Sequence, residues 1–205
     1  MSWQQLADLP FARALTAHSG GLAAEEAYDG AHFDQVALDD ADGSGSHFLE
    51  CAFTGVSLQD CALSRAQFAD VWLHDVRLIS TSLARASLRD VTFTGAVLAG
   101  VEVFGSLLRR VTFDRCKLDS VNFRDADLTD VTFDGCVLRE VDFGGARLTG
   151  TKLTKATLNR VDLRGAELGL TVDATSLRGA IVTTAQLIDM APVLADAIGI
   201  VVDDQ

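Results

Sequence analysis

Four cysteines, four histidines and 29 aspartates and glutamates are the side chains of this 205-residue chain best suited to ligate a metal, attack a substrate or move a proton. Their spacing supports none of these chemistries. Metal and redox sites need convergent thiols of the CxxC kind. Cys51, Cys61, Cys116 and Cys136 instead share one place in a five-residue pattern, so they read as small buried side chains. Reduced thiols suit the cytoplasm. His18, His32, His47 and His74 form neither HxH nor HExxH. The stretch Gly43-Ser44-Gly45-Ser46-His47 does not match the GxSxG nucleophile elbow, and no glycine run ends in the Lys-Ser/Thr of a phosphate loop. The carboxylates fall mostly at turn positions beside solvent, with no concave pocket indicated to raise a pKa. The expectation is a protein without catalytic residues, cofactor or metal.

The element that positions these residues is a repeat of five. Taking Leu or Phe as position i, the register runs without slippage from Phe33 through Leu38, Phe48 and Phe53 to Leu168, giving 28 pentads. Position i is Leu or Phe in 26 of them, the exceptions being Gly43 and Val103. Position i−2 holds only Ala, Val, Cys, Ser or Thr. A period of five fits neither a helix of 3.6 residues per turn nor a strand of period 2. The chain must therefore bend once per repeat, with i−2 and i inward, i−1 outward, and i+1 and i+2 turning the corner. Gly or Asp at i+2 in 16 of the 28 pentads agrees, since both tolerate tight turns.

Coil length follows from the phenylalanines, because a large ring stacks best on another. Five Phe pairs at i positions are 20 residues apart and only two are 15 apart, which favours four pentads per coil. Residues 31–168 then make seven square coils, a rod about 34 Å long at the usual strand spacing, capped at both ends. Residues 1–30 lack the repeat and are expected to cover the first coil, with a short helix around Trp3 to Leu9. The segment Ala41 to Ser46 is expected to loosen one face of that coil. After Leu170 the register slips, resuming weakly at Leu177 and Val182. Thr183 or Thr184 then caps a helix beginning near Ala185 and ending at Gly199, and Pro192 is expected to divide it. Its apolar arc spans roughly three-fifths of the circumference, more than sealing the rod requires. Leu187, Met190, Leu194 and Ile198 on that arc are the expected homodimer interface. The chain thus divides into residues 1–30, a repeat region at 31–170, and a cap and dimerisation segment at 171–205.

Stretches such as Ala126-Asp127-Leu128-Thr129-Asp130 and Val161-Asp162-Leu163-Arg164-Gly165 resemble the consensus of the pentapeptide repeat family, and the resemblance covers residues 31 to 170. It implies an all-β fold, a right-handed quadrilateral β-helix, with a short C-terminal helical cap. The segment Gly179-Ala180-Ile181-Val182, followed by Gln186 and Gly199-Ile200, is similar to the terminal cap through which the quinolone-resistance members dimerise. Those members bind DNA gyrase as DNA-shaped rods, so the resemblance also implies a possible topoisomerase partner.

A net charge of −12 and a pI near 4.6 disfavour direct contact with nucleic acid or an anionic membrane. No apolar run is long enough to span a bilayer, and a soluble cytoplasmic protein is expected. Residues 1–50 carry a net −8 and residues 171–205 a net −4, while 51–170 balance fifteen acids with fifteen bases. Summed by face, residues 31–170 give only −1, −1, −1 and −2, so no face offers a continuous phosphate-like ladder. The acidic first coil, with Asp34, Asp39, Asp40, Asp42 and Glu50, is the candidate electrostatic contact for a gyrase-like partner. The alternative is a scaffold for another cytoplasmic protein, using an outward apolar patch of Trp72, Ile79, Val97, Phe104 and Leu107.

Overall fold

A computed structural model describes residues 5–171, 175 and 177–201. The chain winds as a parallel β-solenoid whose short strands, most of three residues, pair with the strand 20 residues further on: Phe93 with Phe113, Phe113 with Phe133, Leu78 with Leu98, Leu88 with Leu108. The four faces are numbered in chain order from Phe33. On the first face Phe93, Phe113 and Phe133 stack at 4.8 and 4.9 Å. The inward pattern holds, with i and i−2 buried except towards the ends, where Val36, Ala41, Ala156 and Leu168 are half-buried. About eight turns result, because Tyr28 takes an i place on the fourth face and stacks on Phe48 at 4.9 Å. The Phe/Leu register starts one pentad later, so this rung escapes it. Only the ends depart from a coil of 20: Thr16–Ala17 pairs with Ala31–His32, and Val161–Asp162 with Ala180–Ile181.

Every i+2 residue from Gly30 to Gly165 is left-handed, with φ between +50° and +79°. Glycine and aspartate were the expected occupants, but Arg65, Arg85, Arg110 and others adopt the same conformation. The third face differs from the rest. It keeps only isolated bridges, Asp42 to Ala62 and so on to Asp162, and the chain closes a tight turn after each. Oδ1 of Asp42, Asn122, Asp142 and Asp162 accepts the backbone N–H two residues ahead, and the N–H three residues past i closes on its carbonyl, as from Ala146 to Phe143. That tight turn leaves room only for Ala or Ser at the next i−2, which is what positions 46, 66, 86, 106, 126, 146 and 166 hold.

Polar i−2 side chains are not merely small. Thr81, Ser106 and Thr151 hydroxyls and the Cys51, Cys61, Cys116 and Cys136 thiols each donate to the carbonyl of the i residue one coil back, at 2.6 to 3.4 Å. The carbonyl and the otherwise orphaned side chain satisfy each other.

Four expectations are corrected here. The segment Ala41 to Ser46 is not loose: Gly43 is buried, and the space left by its missing side chain is taken up by Leu22 and Leu63. The N-terminal helix is a 3-10 turn at Leu6–Asp8, and Trp3 lies outside the described residues. The segment after that turn lies on the outside of the first face, where Leu9 and Phe11 bury Ala52 and Trp72. Finally, Pro192 does not divide the C-terminal helix α1, which runs unbroken over Thr184–Ala197. Thr183 and Gln186 cap it reciprocally. It ends in a Schellman arrangement, the Gly199 and Ile200 N–H groups reaching the Asp196 and Ala195 carbonyls. Gln186 also donates to the Leu163 and Ala166 carbonyls at 2.7 and 2.9 Å, replacing the coil that would otherwise follow.

Candidate functional site

With a filled interior, the surfaces available for function are faces, corners and ends. Asp34, Asp39, Asp40, Asp42 and Glu50 are all exposed, but they wrap around the first coil rather than sharing a face. Asp39, Asp40 and Asp42 lie around the corner between the second and third faces. The Ser57 hydroxyl and Gln59 N–H hold the Asp39 carboxyl below its ordinary pKa. Hydrogen bonds from Ser44 lower that of Asp42.

Glu50 belongs to a feature the face sums conceal. The corner between the fourth and first faces stacks Glu50, Asp70, Asp90, Arg110 and Asp130 one coil apart, an acidic edge with one interruption. Arg110 grips Asp90 with two hydrogen bonds of 2.6 Å, which lowers the Asp90 pKa. With Asp90 engaged by Arg110, the edge carboxylates outside that pair at the end where the first coil is also acidic are Glu50 and Asp70. The flat part of the same fourth face is basic in its middle, with Arg89 beside Arg109 in register. Aligning i+1 and i+2 positions separately at a period of 20 finds both features in the sequence, whereas adding charges face by face merges them.

The expected apolar patch does not assemble. Trp72 is 1% exposed because the N-terminal segment covers it, so it is no contact for a partner. Ile79 and Val97 are half-buried on the second face, in register with Ala99 and Arg77 rather than with each other. Phe104 and Leu107, 37% and 46% exposed, flank the corner between the third and fourth faces. At the C-terminal end the expected dimer residues split. Met190 is buried and Leu194 half-buried, lining a cleft of about 290 Å³ with Leu168 and Leu170. Leu187, Ile188 and Ile198 remain 50%, 67% and 59% exposed.

All four cysteines are free and buried. Burial pushes the Cys51 thiol up to about 11. Cys61 is raised mainly by burial, and Cys116 by its hydrogen bond with Cys136 and then by burial. Among the described residues no three His, Cys, Asp or Glu side chains are grouped to hold a metal, and no helix is long and apolar enough to cross a membrane.

The profile of the family described as pentapeptide repeat region matches residues 45–123 and 106–182. Among solved structures, a trypsin-treated form of QnrB1, a plasmid-mediated fluoroquinolone resistance protein, is similar at 20% identity over 92% of this chain and 98% of that one, with a TM-score of 0.48. HetL, a pentapeptide repeat protein involved in heterocyst differentiation regulation from the cyanobacterium Nostoc sp. strain PCC 7120, matches at 20% identity over 71% and 84%, with a TM-score of 0.38. A pentapeptide repeat protein of the Arabidopsis thaliana thylakoid lumen matches at 16% identity over 60% and 83%, with a TM-score of 0.26. No curated protein sequence matches significantly.

Proposed function

The chain belongs to the pentapeptide repeat family, and from that premise we propose that it is a non-enzymatic protein-binding rod whose leading partner is DNA gyrase or another topoisomerase. The contact is the acidic first coil together with the start of the acidic edge. The edge is the observation that carries this reading. Proteins that hold DNA do so largely by placing cations against a row of negative charges. Glu50 and Asp70, one coil or about 4.8 Å apart, offer the start of such a row. Asp34, Asp39, Asp40 and Asp42 add exposed charge at the same end.

A homodimer through α1 is part of the proposal. Met190 faces the rod, while Leu187, Ile188 and Ile198 keep an apolar surface in solvent, and a second copy presenting the same surface buries it. The alternative reading, a scaffold for a different cytoplasmic protein, draws on Phe104 and Leu107.

A gyrase supercoiling assay with and without a quinolone tests the leading reading. Inhibition of supercoiling, or protection from the drug, is expected at or below about 50 µM, corresponding to roughly 6 kcal/mol of binding. Neither effect at that concentration transfers the function to the scaffold.

A further inference from the structure

The middle of the fourth face is built differently from the rest of the rod. From Arg110 to Arg164 all seven arginines are in ion pairs, several with a carboxylate one coil away, as in Arg110 with Asp90, Arg139 with Asp119 and Arg160 with Glu140. Arg65, Arg77, Arg85, Arg89 and Arg109 are exposed and form no ion pair among the described residues; Arg77 stands on the second face, and the other four flank the fourth. The register sets Arg89 directly beside Arg109, and like charges so placed destabilise a sheet. Arg65 and Arg85 likewise follow one another at the corner on the other side of the face. The small outward residues here are Ser87, between the two arginine pairs, and Ala69, in register with Arg89. With Gln67, Arg89, Leu107 and Arg109 they line a depression of about 400 Å³. Leu107 is its exposed apolar side chain.

We infer that this depression is a docking groove for an acidic polypeptide segment of another protein, one that carries a large apolar side chain among its carboxylates. The inference rests on the reading of the molecule as a protein-binding rod, but not on gyrase being the partner. The Arg89 and Arg109 guanidiniums supply fork-shaped donors suited to carboxylates. The small residues leave volume for one bulky side chain, and Leu107 provides an apolar wall. Nucleic acid satisfies the arginines but not the apolar wall of Leu107.

The probe is a fluorescein-labelled peptide in which a Phe-Leu pair is flanked on both sides by glutamates, titrated by anisotropy into the full chain. Saturable binding is expected, and it is expected to be absent for the same peptide with lysines in place of the glutamates. Arg89→Glu with Arg109→Glu should weaken binding by about tenfold or more, whereas Arg77→Glu on the second face should change it by less than about twofold. Leu107→Ser should also weaken it while leaving the denaturation midpoint unchanged. The proposal is overturned if no saturable binding occurs up to about 1 mM or if the Arg89/Arg109 variant binds as the parent does. It is also overturned if a short DNA duplex binds more tightly with the same arginine dependence, or if those two arginines hold together a second copy of this chain. A negative supercoiling assay leaves this experiment unaffected.

Discussion

Side chains that break the local rule mark where the chain is under constraint. Most i+2 corners tolerate either glycine or an L residue, and a Cβ on Gly105 would meet only the Arg85 stem at 3.7 Å. Gly179, with φ +95°, is different because a Cβ there would overlap the Leu158 carbonyl oxygen, which cannot move without shifting the last coil. In urea denaturation Gly105→Ala should therefore cost about 1 kcal/mol, the ordinary strain of a left-handed L residue. Gly179→Ala should cost about 3 kcal/mol from forced overpacking. Equal losses would disprove the tight approach of the final strand. Cys51 offers a pH test. Its thiol donates to the Tyr28 carbonyl at 3.3 Å, and burial raises its pKa from 9.0 to about 11. Below pH 9 the thiol is protonated in both folded and unfolded chains and contributes no slope. Between about pH 9 and 11 only the unfolded chain ionises, so stability falls as pH rises. The Cys51→Ala variant should show a shallower fall across that window, measured as the denaturation midpoint against pH. An unchanged slope would mean that the thiol ionises in the folded coil.

At the scale of elements, the stacked rings of the first face make the strongest packing claim. Phe113 lies between Phe93 and Phe133 and is 2% exposed, so Phe113→Ala should cost about 3 to 5 kcal/mol through the cavity it leaves. Phe104→Ala, at an exposed i+1 position, should be nearly neutral in the same denaturation experiment. The helix α1 is the element with an uncovered side. Leu187→Asp with Ile198→Asp should convert a dimer to a monomer in light scattering while sparing Met190 and its packing on the rod. A parent chain that is already monomeric at micromolar concentration ends the dimer proposal. Much of this architecture was legible because one residue type per pentad reports one direction: Leu and Phe mark the interior, small residues mark i−2, and the Phe spacing marks the coil. The fixed Ala or Ser at 46, 66 and every twentieth position to 166 carries the same period more strictly. It was overlooked because small residues are allowed at i−2 everywhere. The cover over Trp72 was not legible. Leu9 and Phe11 belong to no repeat, and an i−1 tryptophan reads as exposed until a distant segment is seen to lie on it. Pro192 misled because a helix-interior proline normally breaks the ladder, whereas α1 has caps at both ends to hold it.

Over the whole molecule, a near-neutral rod conceals two opposed surfaces side by side, an acidic edge at Glu50 and Asp70 and a basic flat at Arg89 and Arg109. A charge sum by face cancels them, which is why the candidate sites were only partly readable from composition. Their separation makes the partner assignment testable by charge alone. If a topoisomerase reads the acidic end, Glu50→Lys with Asp70→Lys should remove inhibition in the supercoiling assay. Arg89→Glu with Arg109→Glu should preserve or strengthen it, since that change extends the negative surface. Both corner carboxylates stand at left-handed outward positions, Glu50 exposed and Asp70 half-buried, so reversing them should not unfold the coil, and an unchanged denaturation midpoint checks this. Salt supplies the second arm. The screening length is about 8 Å at physiological ionic strength and about 3 Å at 1 M, so an electrostatic contact must weaken steadily as salt is raised. An apolar contact through Phe104 and Leu107 would hold or tighten. Inhibition that survives the Glu50 and Asp70 reversals, or that is indifferent to salt, would show that the acidic edge is not what the partner recognises.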